Sequence, residues 1–160
     1  MPRPPLPRLG PFLLSSLLGV LAAGGLAELA LAQRSDGAAG LGAQAGRPSG
    51  LAAKLYRSPQ LGYDLLVASD LHESFFVHAH RLHERPVPNS PLHAFVGPGL
   101  FADRDAARTR NRTTFGISGT FGLNFFKGPF EVFFQATPRL RLYPNTRGRL
   151  GGGVGLRYFF

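Results

Sequence analysis

TFGISGTFGLNFF, residues 114–126, alternates large apolar side chains with small or polar ones. The apolar positions are Phe115, Ile117, Phe121, Leu123 and Phe125. The positions between them are Gly116, Ser118, Thr120, Gly122 and Asn124. A period of two residues is that of a β-strand, since successive side chains of a strand point to opposite sides. The stretch therefore predicts a strand whose two faces meet different surroundings.

The same period recurs from about residue 40 to the end of the chain. Eight strands are predicted, at 41–46, 50–57, 61–69, 74–84, 92–102, 114–126, 130–143 and 150–160. Compact Pro-containing turns join several of them, among them Ser58-Pro59-Gln60 and Lys127-Gly128-Pro129. Short turns join strands that run antiparallel, so consecutive strands are expected to be neighbours in the sheet.

The second face of these strands is mostly Gly, Ser, Thr and Asn, with a few isolated charges. A soluble barrel would carry many Lys, Glu and Asp residues there, whereas small residues suit the interior of a narrow eight-stranded barrel. The apolar face then meets lipid, and most strands approach the roughly nine to eleven residues that cross a bilayer. The sequence predicts an all-β fold: an eight-stranded antiparallel up-and-down transmembrane β-barrel, its lumen plugged by side chains and both its termini in the periplasm.

Residues 1–32 have the features of a secretory signal peptide. Arg3 and Arg8 provide the positive start, an apolar run follows, and Ala30-Leu31-Ala32 provides a small-x-small cleavage site before Gln33. The alternative is an uncleaved membrane anchor, which Glu28 within the apolar run disfavours. We expect cleavage of this segment, a barrel domain at residues 33–160, and location in the outer membrane.

Composition excludes several other classes of protein. The 160 residues contain no Cys, so disulfides, thiolate zinc sites and lipid attachment at a cysteine are excluded. The formal net charge is +9, but the basic residues are scattered and aromatic residues do not interleave with them. We therefore expect an anionic membrane surface as the partner of this charge, and no nucleic acid.

Seven predicted inward positions carry charged or imidazole side chains, which we interpret as a structural ion network filling the lumen. They are Lys54, Asp64, His78, His80, Glu131, Arg139 and Arg157. The turn at 58–60 places Lys54 opposite Asp64, and a loop at 69–73, shifted by one residue, places His78 on the other side of Asp64. Paired charge is expected inside a narrow barrel, because unpaired charge is costly there.

Two chemical alternatives to a structural network stay open. Asp64 between a Lys and a His could handle protons. His78 and His80 could bind zinc if His93 supplied a third ligand. The prediction adopted is that the lumen holds no metal, cofactor or catalytic residue.

The third loop of the outer side, residues 103–111, and its flanking strand contain a cluster of arginines: Arg104, Arg108, Arg110 and Arg112. Arginines can bind the phosphates of lipopolysaccharide through bidentate hydrogen bonds. The alternative is a solvated loop that Asp103 and Asp105 partly neutralise. Lipopolysaccharide contact is thus a hypothesis for these four residues.

The stretch PFEVFFQATPRLRLYPNTRGRLGGGVGLRYFF, residues 129–160, resembles the end of small bacterial outer-membrane barrels of the OmpA/OmpX-like size class, which have eight strands. Residues 48–56 resemble the first hairpin of the same group. The resemblance implies an assembly signal at Gly155, Tyr158 and Phe160, read by the outer-membrane assembly machinery. Outer-membrane lipid and lipopolysaccharide are the other expected partners, and we expect the chain to be a monomer.

The function expected from these observations is that of an integral outer-membrane protein with a structural or membrane-interaction role, and not of an enzyme. Two alternatives remain. A lipid A-modifying barrel enzyme would require a Ser beside a His, and only Ser74 near His72 comes close. A soluble periplasmic lipocalin-like carrier would hold the Phe-rich face inside.

Overall fold

The computed structural model describes residues 35–69, 74–105 and 112–160. These residues form eight β-strands, and within them no helix has the length and apolarity to cross a membrane. The strands are β1 (Ala39–Arg47), β2 (Gly50–Ser58), β3 (Leu61–Ser69), β4 (Ser74–Pro86), β5 (Leu92–Asp105), β6 (Arg112–Lys127), β7 (Phe130–Tyr143) and β8 (Arg147–Phe159). The predicted signal peptide, residues 1–32, lies outside the described residues.

Each strand pairs antiparallel with the next one along the chain, and β1 pairs with β8, so the sheet closes into a barrel. The closing pair runs from Gly40 opposite Phe159 to Arg47 opposite Gly152. The predicted fold, an eight-stranded antiparallel up-and-down barrel, is confirmed. The turn rim is the end of the barrel at which β2 joins β3, β4 joins β5 and β6 joins β7. The loop rim is the opposite end, at which β1, β3, β5 and β7 each end and the next strand begins.

Several strands are longer than their apolar alternation. β5 continues to Asp105 and β6 begins at Arg112, and these two residues pair directly. Polar residues continue the backbone ladder beyond the apolar part of the strands, and alternation of hydrophobicity cannot detect them. Sequence reasoning therefore ended β5 too early and began β6 too late, by two or three residues.

The outer face of the barrel is apolar. Phe121, Leu123, Val132 and Phe134 are among many large hydrophobic side chains on this face that lie exposed. Four aromatic residues near the turn rim are also exposed, namely Tyr63, Phe130, Tyr158 and Phe160. Exposed apolar surface this extensive is rare on monomeric proteins that live in water.

The inner face is filled, but not mainly by small residues. Phe76, Phe95, Phe101, Phe133 and Leu82 form a buried cluster with Ala52, Leu66 and Ala68. Three glycines on the inner face of β8 leave space for long side chains of neighbouring strands. A Cβ would lie 2.8 Å from Arg139 at Gly151, 2.9 Å from Gln44 at Gly153 and 2.3 Å from Phe133 at Gly155. Glycines and large rings thus interlock, which explains why the chain is rich in both.

Candidate functional site

Lys54 lies at the centre of the lumen between two carboxylates. Its ammonium donates to Glu131 Oε1 at 2.5 Å and forms an ion pair with Glu84. The side chains of all three residues are fully buried. The ring of Tyr56 lies 4.8 Å from Lys54 Nζ, and its hydroxyl donates to Glu84 Oε2 at 2.8 Å. A buried ammonium needs such partners, because removal from water is otherwise costly.

Arg157 joins this centre to a third carboxylate. Its guanidinium donates to Glu131 Oε2 at 2.9 Å and to Asp64 Oδ1, and it lies 3.8 Å above the ring of Phe133. Asn124 also donates to Glu131, at 2.7 Å. Glu131 therefore accepts from three donors on three different strands, β2, β6 and β8. The name central network is used below for Lys54, Asp64, Glu84, Glu131 and Arg157.

The central network contains two cations and three carboxylates, so its formal charge is −1 with the neighbouring histidines neutral. Sequence reasoning named four of these five residues and missed Glu84. The signal for Glu84 was present, because it lies on the same face of β4 as the inward His78 and His80. Sequence reasoning also missed the buried hydrogen bond from Gln135 to Gln44, 2.6 Å long, toward the loop rim.

The predicted register is right on one side of Asp64 and wrong on the other. Lys54 pairs with Asp64 as expected. The second neighbour of Asp64 is His80, however, and not His78. Sequence reasoning placed a loop at 69–73, whereas Ser69 pairs with Phe75, so that the register shifts by two residues. His78 still approaches Asp64 diagonally, with Nε2 3.7 Å from Oδ2.

The two histidines of β4 lie side by side, as predicted, with ring centroids 4.4 Å apart. Both are buried, and His80 Nε2 shares a 2.9 Å hydrogen bond with Ser118 Oγ. His93 does not join them. It lies at the beginning of β5 against Phe126, six residues from Gly99, which pairs with His80; that is about 20 Å along a strand. The hypothesis that His93 completes a zinc site with this pair is therefore wrong.

Arg139 was also predicted to belong to the ion network, and the structure corrects this. Its guanidinium lies 4.9 Å from the ring of Phe76, in a small pocket toward the loop rim. The other lining residues of this pocket are Phe101, Asp103, Thr114, Arg141, Arg147 and Arg149. Arg139 pairs with Arg149 in the register, and Arg141 with Arg147. The name arginine mouth is used below for these four arginines.

Two of the four arginines predicted to contact lipopolysaccharide, Arg104 and Arg112, lie near strand ends at the same rim. Arg104 is exposed at the end of β5, and Arg112 begins β6. Arg108 and Arg110 lie outside the described residues, as does His72, the partner considered for Ser74.

Of the predicted assembly signal, Tyr158 and Phe160 are exposed with ring centroids 5.5 Å apart, and Gly155 packs under Phe133. Its recognition by an assembly machinery stays a prediction.

The structure belongs to the class of small, closed eight-stranded barrels with an apolar exterior and a charged, filled interior. No family model and no curated protein matches the sequence. The structure is similar to that of the N-terminal β-barrel domain of OprF from Pseudomonas aeruginosa, with a TM-score of 0.63 and 14% sequence identity over 78% of this chain and 98% of that one. It is also similar to Neisserial surface protein A (NspA), with a TM-score of 0.50 and 14% identity over 77% of this chain and 94% of that one. The chain thus has the fold of eight-stranded outer-membrane barrels.

Proposed function

We propose that this chain is an integral outer-membrane protein with a structural role, and that its loop rim binds the phosphates of lipopolysaccharide. The observation that carries the first part is the distribution of side chains. Five charged residues of the central network are buried, while Phe, Leu and Val side chains cover the outside. This arrangement suits a barrel whose outer face meets hydrocarbon.

The filled lumen supports a structural role over transport. The central network and the buried phenylalanines occupy the cross-section at several levels, which disfavours an open channel. A lipocalin-like carrier needs an apolar cavity for its ligand, whereas the middle of this lumen holds paired charges. The exposed apolar face would also make such a carrier poorly soluble.

The second part of the proposal rests on the arginines of the loop rim. In the arginine mouth, like charges lie directly opposite one another on β7 and β8, which is unfavourable without an anion. Asp103 is the one acidic residue that lines this pocket among the described residues. Arg104 adds an exposed positive charge at the same rim. Phosphates on the lipid headgroups of an outer leaflet would lie at this level.

Fractionation and gel mobility test membrane insertion. We expect the protein in the outer-membrane fraction, with a mature N-terminus at Gln33, and a mobility shift between unheated and boiled detergent samples. A soluble protein without a heat-dependent shift would refute the proposal.

The predicted assembly signal has its own test: Phe160→Ala should lower the amount of folded protein in cells without preventing refolding in micelles.

Lipopolysaccharide binding is tested with two sets of four substitutions to Gln. One set neutralises the loop rim at Arg104 and at three members of the arginine mouth, Arg141, Arg147 and Arg149. The control set neutralises four exposed cations near the turn rim: Arg57, Arg81, Arg85 and Lys127. The first set should lower retention of lipopolysaccharide on the purified protein by tenfold or more and reduce the salt dependence of binding. Equal retention in both sets would refute the assignment.

Unchanged lipid A mass on overexpression is expected from a protein that is not an enzyme, and a changed mass would support the enzymatic alternative.

A further inference from the structure

We propose that Asp64, His78 and His80 form a binding site for a divalent transition-metal ion of the zinc class inside the barrel. These three side chains each offer a donor atom, and the donors all lie within 4.8 Å of one another. Two imidazoles and one carboxylate are donors suited to Zn²⁺ and its first-row neighbours. The site differs from the one that the sequence suggested, because Asp64 takes the place of His93.

The spacing of the donors fits a metal after small side-chain rotations. His78 Nε2 and Asp64 Oδ2 are 3.7 Å apart, and the imidazole centroids are 4.4 Å apart. Zinc bonds of about 2.0–2.1 Å with tetrahedral angles place ligand atoms about 3.3 Å apart. The three residues come from adjacent positions on paired strands, β3 and β4, so the backbone already fixes their distances. A water molecule would complete a four-coordinate site.

Four donor atoms at this place are buried without a hydrogen-bond partner in the described part of the chain. They are Asp64 Oδ2, His78 Nδ1, His78 Nε2 and His80 Nδ1. Most buried polar atoms in native proteins are hydrogen-bonded, and an unsatisfied one is costly. One cation bound among them would engage three of the four at once. These four potential metal ligands without hydrogen-bond partners distinguish the site from a histidine pair that merely fills space.

Neighbouring residues hold two of the ligands in a suitable orientation. Arg157 binds Asp64 through Oδ1, which leaves Oδ2 free to face His78. Ser118 Oγ bonds to His80 Nε2, which leaves Nδ1 as the free nitrogen of that ring. Metal-binding His and carboxylate side chains usually have such outer partners, which fix tautomer and orientation. The lumen provides them before any metal binds.

The charge of the surroundings also favours a cation. Asp64, Glu84 and Glu131 outnumber Lys54 and Arg157, so the central network has a formal charge of −1. A divalent ion bound by Asp64 would therefore enter surroundings of negative formal charge. Placing an ion in a buried site is costly unless opposite charge compensates it.

Metal binding is tested on the full-length mature chain without a histidine tag, refolded from urea into detergent micelles with one equivalent of Zn²⁺ or Co²⁺. Addition before folding is necessary because the site is closed. After exchange into metal-free buffer we expect one ion per chain by elemental analysis. With Co²⁺ we expect the visible absorption bands of a four-coordinate ion.

His80→Gln should remove the bound ion and the cobalt bands. His83→Gln is the matched control, because His83 lies on the same strand but is exposed, and it should keep both. Ser118→Ala leaves all three ligands in place and should weaken affinity at least tenfold. Heat-dependent gel mobility establishes that each variant is folded. If His80→Gln does not fold, the comparison of Ser118→Ala with His83→Gln decides. An ion content near zero in the wild-type protein, or equal binding by Ser118→Ala and His83→Gln, would overturn the proposal.

Discussion

Arg157→Met perturbs the charge balance of the lumen, and its effect can be worked out from the contacts of the guanidinium. Arg157 is 2% exposed and bonds to Glu131 and Asp64, so the substitution leaves two buried carboxylates each without one ionic partner. Two hydrogen bonds to charged groups contribute about 1.5–3 kcal/mol each, and breaking a buried ion pair costs about 3–5 kcal/mol. The first estimate sums to about 3–6 kcal/mol and the second is about 3–5 kcal/mol, so we expect a loss of about 3–5 kcal/mol in the free energy of unfolding. The folding equilibrium constant should fall by a factor of about a hundred to several thousand.

The assay is urea unfolding in detergent micelles followed by far-UV circular dichroism, since the chain has no Trp to report by fluorescence. Arg57→Met is the control. The Arg57 side chain is 61% exposed and lies 4.0 Å from Asp36, and an exposed pair of this kind contributes below about 1 kcal/mol. The double variant Arg157→Met/Asp64→Asn restores the formal charge of −1 and should recover part of the loss. Equal losses for Arg157→Met and Arg57→Met would refute the reasoning, because the buried ion pairs of the lumen would then contribute no more to stability than an exposed pair.

Two further pairs of substitutions test the inner and the outer face. Gly99→Ala would place a Cβ 2.2 Å from the Ala79 carbonyl oxygen, so the free energy of unfolding should fall by about 1–3 kcal/mol in the same urea assay. Gly148→Ala, where the added Cβ meets open space, should change it by less than about 0.5 kcal/mol, and similar values for both would contradict the packing described here. Phe121→Arg, on the exposed face in the middle of β6, should cost about 2–4 kcal/mol in lipid vesicles, against about 0–1 kcal/mol for Leu142→Arg one residue from the end of β7. A Phe121→Arg protein that is more soluble without detergent and no less stable would indicate a barrel that functions in water.

The fold was predictable because the chain alternates with a strict period over most of its length. Thr114 to Phe126 has one apolar and one small or polar face, and the structure places these faces outside and inside the barrel. Short turns then leave an up-and-down arrangement as the simplest order of strands. The large rings inside were harder to find. Phe133 directly precedes the exposed Phe134, and the two differ only in the face of the strand from which they project.

The site was predictable only where a short turn fixes the register. The predicted three-residue turn at 58–60 gave the right partner for Lys54. The structure has a two-residue connection at 59–60 instead, and a bulge between Tyr56 and Ser58 shifts the register back by one residue, so that Lys54 still faces Asp64. The longer connection at 70–73 left the register of β3 and β4 open by two residues, which exchanges His78 for His80. Arg139 points inward like the residues of the central network, but it lies nearer the loop rim. The position of a residue along the barrel axis depends on the stagger between strands, and the alternation of the sequence does not reveal that stagger.

Polar groups from six strands meet in the lumen, so their pairing depends on the completion of the sheet. They are Lys54 from β2, Asp64 from β3, Glu84 from β4, Asn124 from β6, Glu131 from β7 and Arg157 from β8. Asp64 and Arg157 are 93 residues apart in the chain, so they meet only when the last strand is in place. A half-formed sheet in hydrocarbon would carry bare carboxylates, at a cost of several kcal/mol for each ion. We therefore expect the chain to keep these groups hydrated until β8 reaches β1, and insertion into a membrane to accompany closure of the barrel.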